Sequence, residues 1–158
     1  MAKQSSSSLC SAKLAKYFKD YATHHRTSGN QITHYFGIPF IVISLLGLLS
    51  HWVIEPAILP AFSFFQIDGG TLVIVLGMLW YLYLDWKIAI PFGFVISGLY
   101  FLGRALPVPV NWALFIGGWI LQGVGHAVYE KKSPAFVTNI MHGLVGPIWV
   151  FAKMIRYY

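Results

Sequence analysis

Residues 33–54 read THYFGIPFIVISLLGLLSHWVI, a run without a single Asp, Glu, Lys or Arg. A helix of this length is just long enough for a hydrocarbon core of roughly 30 Å. It is the clearest membrane-spanning candidate in the chain, and the flanking sequence repeats the theme. Residues 71–86 and 88–103 are two shorter apolar runs that meet at Asp85-Trp86-Lys87. That junction reads as a tight helical hairpin, with one bent helix as the other reading. Pro107 and Pro109 precede a fourth span at 110–129, and a fifth run at 135–152 is interrupted by Gly143, Gly146 and Pro147. Pro56, Pro60, Gly69 and Gly70 mark 55–70 as a connection. The expected fold is therefore all-α, an integral membrane helical bundle of four or five spans.

Composition agrees. Of 158 residues 57% are hydrophobic and 10% charged, well below the quarter charged that is usual for soluble domains. Trp52, Trp86, Trp112 and Trp149 sit near the ends of apolar runs, as interfacial anchors do. The net charge of +6 suits anionic headgroups, and no basic stripe supports nucleic-acid binding. One cysteine, Cys10, excludes an internal disulfide framework and a cysteine-rich zinc site. Residues 1–11 read as a disordered polar N-terminus without a secretory signal, and 12–158 as one membrane-embedded catalytic domain.

Residues 12–24 carry Leu14, Tyr17, Phe18 and Tyr21 at helical spacing among lysines, the pattern of an amphipathic helix lying in the interface. Lys13, Lys16, Lys19 and Arg26 precede the first span, Lys87 follows the second, and Lys131 and Lys132 follow the fourth. If the spans alternate, all three groups share one side, and the positive-inside rule makes that side cytoplasmic. Arg104, Lys153 and Arg156 do not fit, unless the last segment is re-entrant or tilted and does not cross.

The six histidines carry the functional signal. His24, His25, His34 and His126 lie at the edges of apolar segments and His142 inside one; His51 alone falls on the far side. Ionisable groups at membrane depth are costly and face an interior site, and imidazole is the commonest side-chain metal ligand. Gln122, His126 and Glu130 recur every four residues, so they share a helix face, while Gly118, Gly123 and Gly125 allow another helix to approach. His25 and His34 flank a polar turn in which Asn30 can cap a helix or fix an imidazole. The plainer readings are a solvated Glu130 paired with neighbouring lysines, polar filler for one of His24 and His25, and an Asp85 that meets Lys87 or a helix end. There is no His-Glu-x-x-His motif, glycine-rich phosphate loop or nucleophile elbow.

Two blocks carry a resemblance: Tyr21…His25-Arg26…Asn30…His34…Gly37-Ile38-Pro39, and Gly118-Trp119-Ile120-Leu121-Gln122…Gly125-His126-Ala127…Glu130-Lys131…Pro134-Ala135…Asn139. Together they resemble the membrane-bound, iron(II)-dependent 2-hydroxy fatty acid dioxygenases of fatty acid α-oxidation. The similarity runs from about Tyr17 to Trp149, with the specific motifs confined to the blocks. It implies Fe(2+) held by His25, His34 and His126, with Asn30 and Glu130 as supporting catalytic positions. His142 stands where the family usually has glutamine, and is either an added metal ligand or a polar substitute. The implied substrates are a long-chain 2-hydroxy fatty acid and molecular oxygen, with membrane lipids around the protein. By residue chemistry Arg26, Lys131 or Lys132 can attract the substrate carboxylate, anchoring of the protein being the equal alternative for the lysines, and Gln122 is a further candidate substrate contact. A homo-oligomer is compatible with the sequence. Two competing readings are a two-iron lipid hydroxylase or desaturase, which needs more paired histidines, and a non-enzymatic membrane scaffold or transporter-like protein with structural histidines.

Overall fold

The computed structural model describes residues 9–54, 67–132 and 141–158. Residues 1–8 of the expected disordered terminus, 55–66 of the connection, and the 133–140 stretch that opens the fifth run lie outside the described residues. The elements are α1 (Ala12–Thr23), α2 (Ser28–Leu49), α3 (Gly69–Ala105), α4 (Val108–Val124), a π-helical turn (Gly125–Glu130) and α5 (Met141–Met154). One isolated bridge, Val53 to Asp68, is the only β-type pairing among the described residues.

Among the described residues, three helices are long and apolar enough to cross a membrane: Ser28–Leu49, Gly69–Ala105 and Val108–Glu130. The first begins and ends earlier than its apolar run suggested. Thr27 supplies the cap, its hydroxyl accepting from the Asn30 N–H, which draws the polar residues 28–32 into the helix. At the other end the chain turns at Ser50, leaving His51, Trp52 and Val53 exposed.

The second helix doubles back. Asp85 has φ −163° and ψ 97°, an extended residue that interrupts the helical ladder. Fifteen residues of straight helix would separate Met78 from Gly93 by about 22 Å. Instead a Cβ on Gly93 would sit 3.0 Å from the Met78 methyl, and Tyr81 packs edge-on against Phe92 with ring centroids 5.3 Å apart. The expected hairpin is therefore present, with arms at 69–84 and 86–105. Asp68 opens the first arm with a reciprocal capping box, accepting from the Thr71 N–H while its own N–H donates to the Thr71 hydroxyl.

Among the described residues α5 does not follow the bundle, which fits the reading of a last segment that does not cross. Near its start His142 meets Asp20 at the end of α1 (2.8 Å). Beyond its end Tyr157 donates to the Leu9 carbonyl (2.8 Å) and to Asp85 (3.0 Å), beside the start of α1. α5 thus runs antiparallel to α1, and the pair lies across the bundle end that carries the hairpin turn. Leu14, Phe18, Ile148 and Trp149 are buried between them and the bundle, and replacing a side chain as large as Trp149 by alanine costs about 3–5 kcal/mol. Asp85 clasps this layer, accepting from the Ser11 N–H (2.6 Å) as well as from Tyr157. It pairs with a helix end and not with the histidines.

This placement removes most of the charge anomaly. With α5 on the bundle end, Lys153 and Arg156 join Lys13, Lys87 and Lys131 on one basic face. Arg104 stays at the opposite end, where it donates to the Tyr100 hydroxyl (3.2 Å), which in turn donates to buried Asp68 (2.5 Å). In a Cys10→Ser background, single cysteines placed at 131 and 156 should be labelled by an impermeant thiol reagent from the same side, and one at 51 from the other. Labelling of 131 and 156 from opposite sides would restore the fifth crossing.

Candidate metal centre

Three buried imidazoles converge where α1, α2 and the π-helical turn meet. The ligand atoms of His25, His34 and His126 all lie within 4.8 Å of one another. His25 and His34 bring their Nε2 atoms to 3.0 Å, and the His126 ring centroid is 4.9 Å from that of His25 and 5.0 Å from that of His34. All three side chains are almost fully buried.

Local hydrogen bonds fix the protonation pattern. The Nδ1–H of His25 donates to the Tyr21 carbonyl (2.8 Å), and that of His34 to the Asn30 carbonyl (2.8 Å). In both cases the acceptor is four residues earlier. A carbonyl can only accept, so each Nδ1 carries the hydrogen and each Nε2 carries a lone pair. Two lone pairs facing each other at 3.0 Å repel unless a cation lies between them. Burial pushes His25 down to about 4, against a weaker opposing pull from its bond to Tyr21 and with some help from neighbouring His126, so it stays neutral at neutral pH. The buried Nδ1 of His126 has no hydrogen-bond partner among the described residues. Neutral imidazoles, outward lone pairs and an unsatisfied nitrogen are what a transition-metal ion requires, and the three residues fit one.

The surrounding residues hold this arrangement. Tyr21 stacks on His25 with centroids 3.9 Å apart and planes 11° from parallel, and Trp149 packs beside both rings, 5.1 Å from Tyr21 and 5.9 Å from His25. The Gln31 amide donates to the His25 carbonyl (2.9 Å) and the Asn30 amide to the His24 carbonyl (3.3 Å), which locks the turn between the two histidines. Glu130 accepts from the Thr27 N–H (2.7 Å) and hydroxyl (3.2 Å). Its carboxylate therefore fastens the end of the π-helical turn to the start of α2. It is not among the converging ligand atoms. Sequence reasoning gave Gln31 no role, placed Tyr21 in the first motif block without a function at the site, and read the buried Trp149 as an interfacial anchor; the four-residue steps Tyr21–His25 and Asn30–His34 were the available signal.

His142 lies apart from the three. Its Nε2 is 2.8 Å from Asp20, and its ring sits edge-on to Tyr21 (5.8 Å) and to His24 (5.3 Å). His24 is only partly buried and bonds locally to Thr23 and Asp20. Arg26 and Lys131 are exposed and do not line the cavity that opens from the cluster. Gln122 is buried one turn before His126, its Nε2 without a hydrogen-bond partner among the described residues.

A cavity of about 280 Å³ starts at this cluster. His25, His34, His126, His142, Gln122 and Tyr21 form its polar end, and the remainder is lined by apolar residues of α2, α3 and α5 together with Trp119. A polar, metal-capable head joined to an apolar body suits an amphiphile with a single chain.

A family model described as 2-hydroxy-palmitic acid dioxygenase Mpo1-like matches residues 11–157. The chain is also similar to the 2-hydroxy-palmitic acid dioxygenase MPO1 of Saccharomyces cerevisiae, 53% identical over 32 residues. That match covers 20% of this chain and spans 18% of the length of the yeast protein. No solved structure is a significant match. The family match takes in both motif blocks, the three converging histidines and the whole helical bundle, and on that ground this chain belongs to the Mpo1-like family.

Proposed function

We propose that this protein is an iron(II)-dependent dioxygenase of long-chain 2-hydroxy fatty acids, working at the cytoplasmic face of its membrane, with His25, His34 and His126 holding the ion. The observation that carries this reading is the pair of Nε2 lone pairs turned toward each other at the polar end of an apolar cavity. The family description and the description of the yeast relative both name a 2-hydroxy-palmitic acid dioxygenase, which supports the substrate class. The grouping of Lys13, Lys87, Lys131, Lys153 and Arg156 around the histidine end supports the cytoplasmic side.

Three neutral protein ligands leave coordination positions open, and iron(II) bound there supplies the redox and Lewis-acid chemistry for oxygen to react with a chelating 2-hydroxy acid. The chain's own groups do the rest. The unpartnered Gln122 amide donates to an oxygen of the substrate head, which also satisfies a buried donor that is costly to leave alone. Arg26 and Lys131 draw the carboxylate to the rim through long-range attraction. Tyr21 and Trp149 keep water from the back of His25, and the Glu130 to Thr27 clamp keeps His126 in register with His34. Conversion of a 2-hydroxy acid and one O₂ to the acid one carbon shorter, carbon dioxide and water balances without an external reductant. No 2-oxoglutarate is therefore required.

Metal content and turnover test separate parts of the proposal. Protein purified anaerobically and loaded with iron(II) should retain about one ion per chain. His25→Ala, His34→Ala and His126→Ala should each weaken binding by more than the about 10–100-fold typical of losing even an outer-shell partner, while His142→Ala should not. Full occupancy in all three variants would discard the ligand set and favour a structural role for the histidines.

Turnover is read as oxygen consumption with 2-hydroxyhexadecanoic acid, giving a fifteen-carbon product. His126→Ala should abolish it. Bound iron with no turnover of any 2-hydroxy acid would keep the site and discard the substrate.

A further inference from the structure

The apolar cavity is bounded by two facing stripes. Ile38, Val42 and Leu46 line it from α2, and Val73, Gly77 and Tyr81 from the first arm of α3, each stripe in steps of four that keep one helix face inward. From His34 to Leu46 the α2 axis advances about 18 Å. An extended hydrocarbon advances about 1.25 Å per bond, so a chain with its first two carbons at the histidines reaches Leu46 at about its sixteenth carbon.

Beyond Leu46 the way along the bundle is shut by backbone. Gly47 and Gly103 touch so closely that a Cβ on either would collide with the other helix's main chain. A Cβ on Gly70 would lie 2.9 Å from the Leu46 carbonyl and 3.0 Å from the Tyr100 ring. Behind this contact Asn111 donates to the Gly103 carbonyl (2.9 Å) and Tyr100 to Asp68. The stop is made of main chain and a polar network, neither of which yields to a methylene.

The side of the cavity at the same depth is not shut. Leu45 and Val73 both line it, yet they are 37% and 43% exposed, whereas Leu46 and Ile96 are 4% and 8% exposed. These two exposed lips belong to helices long and apolar enough to cross a membrane, so what they face there is lipid.

We propose that the gap between Leu45 and Val73 is a lateral slot through which one acyl chain of a leaflet amphiphile enters from the bilayer, its carboxylate staying at the basic face. Carbons beyond about the sixteenth leave by the same slot and lie in lipid. The identity of the head group rests on the proposed function; the slot rests on the burial pattern and the glycine stop. A chain passing from lipid to an apolar groove gains little transfer free energy, so length discriminates only where sterics intervene.

The test is displacement of radiolabelled 2-hydroxyhexadecanoic acid from full-length protein in phosphatidylcholine–phosphatidylglycerol nanodiscs, with 2-hydroxy acids of 16 to 24 carbons as competitors. Their affinities should agree within about threefold. Val73→Trp and, on the opposite lip, Leu45→Trp should plug the exit and weaken the 24-carbon acid at least about fivefold relative to the 16-carbon one. Leu76→Trp, exposed but outside the cavity, should leave that ratio alone. A tenfold loss beyond sixteen carbons in the unaltered protein, or an unchanged ratio in both lip variants, would overturn the slot. Equal competition by fatty acids lacking the 2-hydroxyl would discard the head-group assignment and leave the slot standing. No binding at any length would sink both.

Discussion

The close approach of α2 and α4 is the constraint on which the site depends. A Cβ on Gly37 would lie 3.0 Å from the Gly118 carbonyl, and one on Gly118 would lie 2.9 Å from the Gly37 carbonyl. One turn of contact further along, a Cβ on Gly125 would press into Thr33, Asn30 and the His34 ring. Helices in a bilayer have no hydrophobic drive to associate and rely on packing of this kind. Only with these three positions bare can His34 and His126 share one point. Gly123, by contrast, is exposed with nothing among the described residues within 4 Å of its Cβ position, so small size alone did not mark the contact.

Given that approach, the π-helical turn becomes intelligible. Extra residues per turn at the end of α4 widen the helix, and such turns recur at functional sites. Here the turn ends at Lys131 in the left-handed region (φ 53°), with the Lys132 N–H donating to the His126 carbonyl (3.2 Å). It leaves Glu130 within reach of the α2 N-terminus while His126 faces inward. A carboxylate at a helix N-terminus is favourably placed against its dipole. The same contact that stabilises the helix end therefore sets the position of a histidine.

The layer formed by α1 and α5 serves the site from the other side. α1 delivers His25 and the Tyr21 carbonyl that orients it, and α5 delivers Trp149 and His142 against Tyr21. The Asp85 clasp joins both helices to the hairpin turn, so the third histidine is anchored through contacts some 70 residues away in sequence. Laid across the bundle end, the two helices roof the polar head of the cavity and leave its apolar body facing hydrocarbon. An amphiphile at a membrane surface presents the same order of polarity.

Much of this was legible in the sequence. Uncharged runs fixed the helical membrane class, because unsatisfied backbone is intolerable in hydrocarbon. Asp85-Trp86-Lys87 marked the hairpin, and His25, His34 and His126 stood out as imidazoles at apolar edges. Those signals are local: they depend on composition and on spacing along one helix. The path of α5 was not, since an apolar run of that length fits equally a crossing helix and one buried on a bundle end. Nor could spacing tell that His142 would be taken by Asp20, that Glu130 would reach back to Thr27, or that a cavity would open between Leu46 and Val73. Each depends on which surfaces meet, and that was decided by glycine contacts between helices distant in sequence. The sequence by itself determined the helices and the chemistry available on them. The tertiary structure decided which imidazoles share a point and where the apolar space lies, because convergence is a property of packing and has no period along the chain.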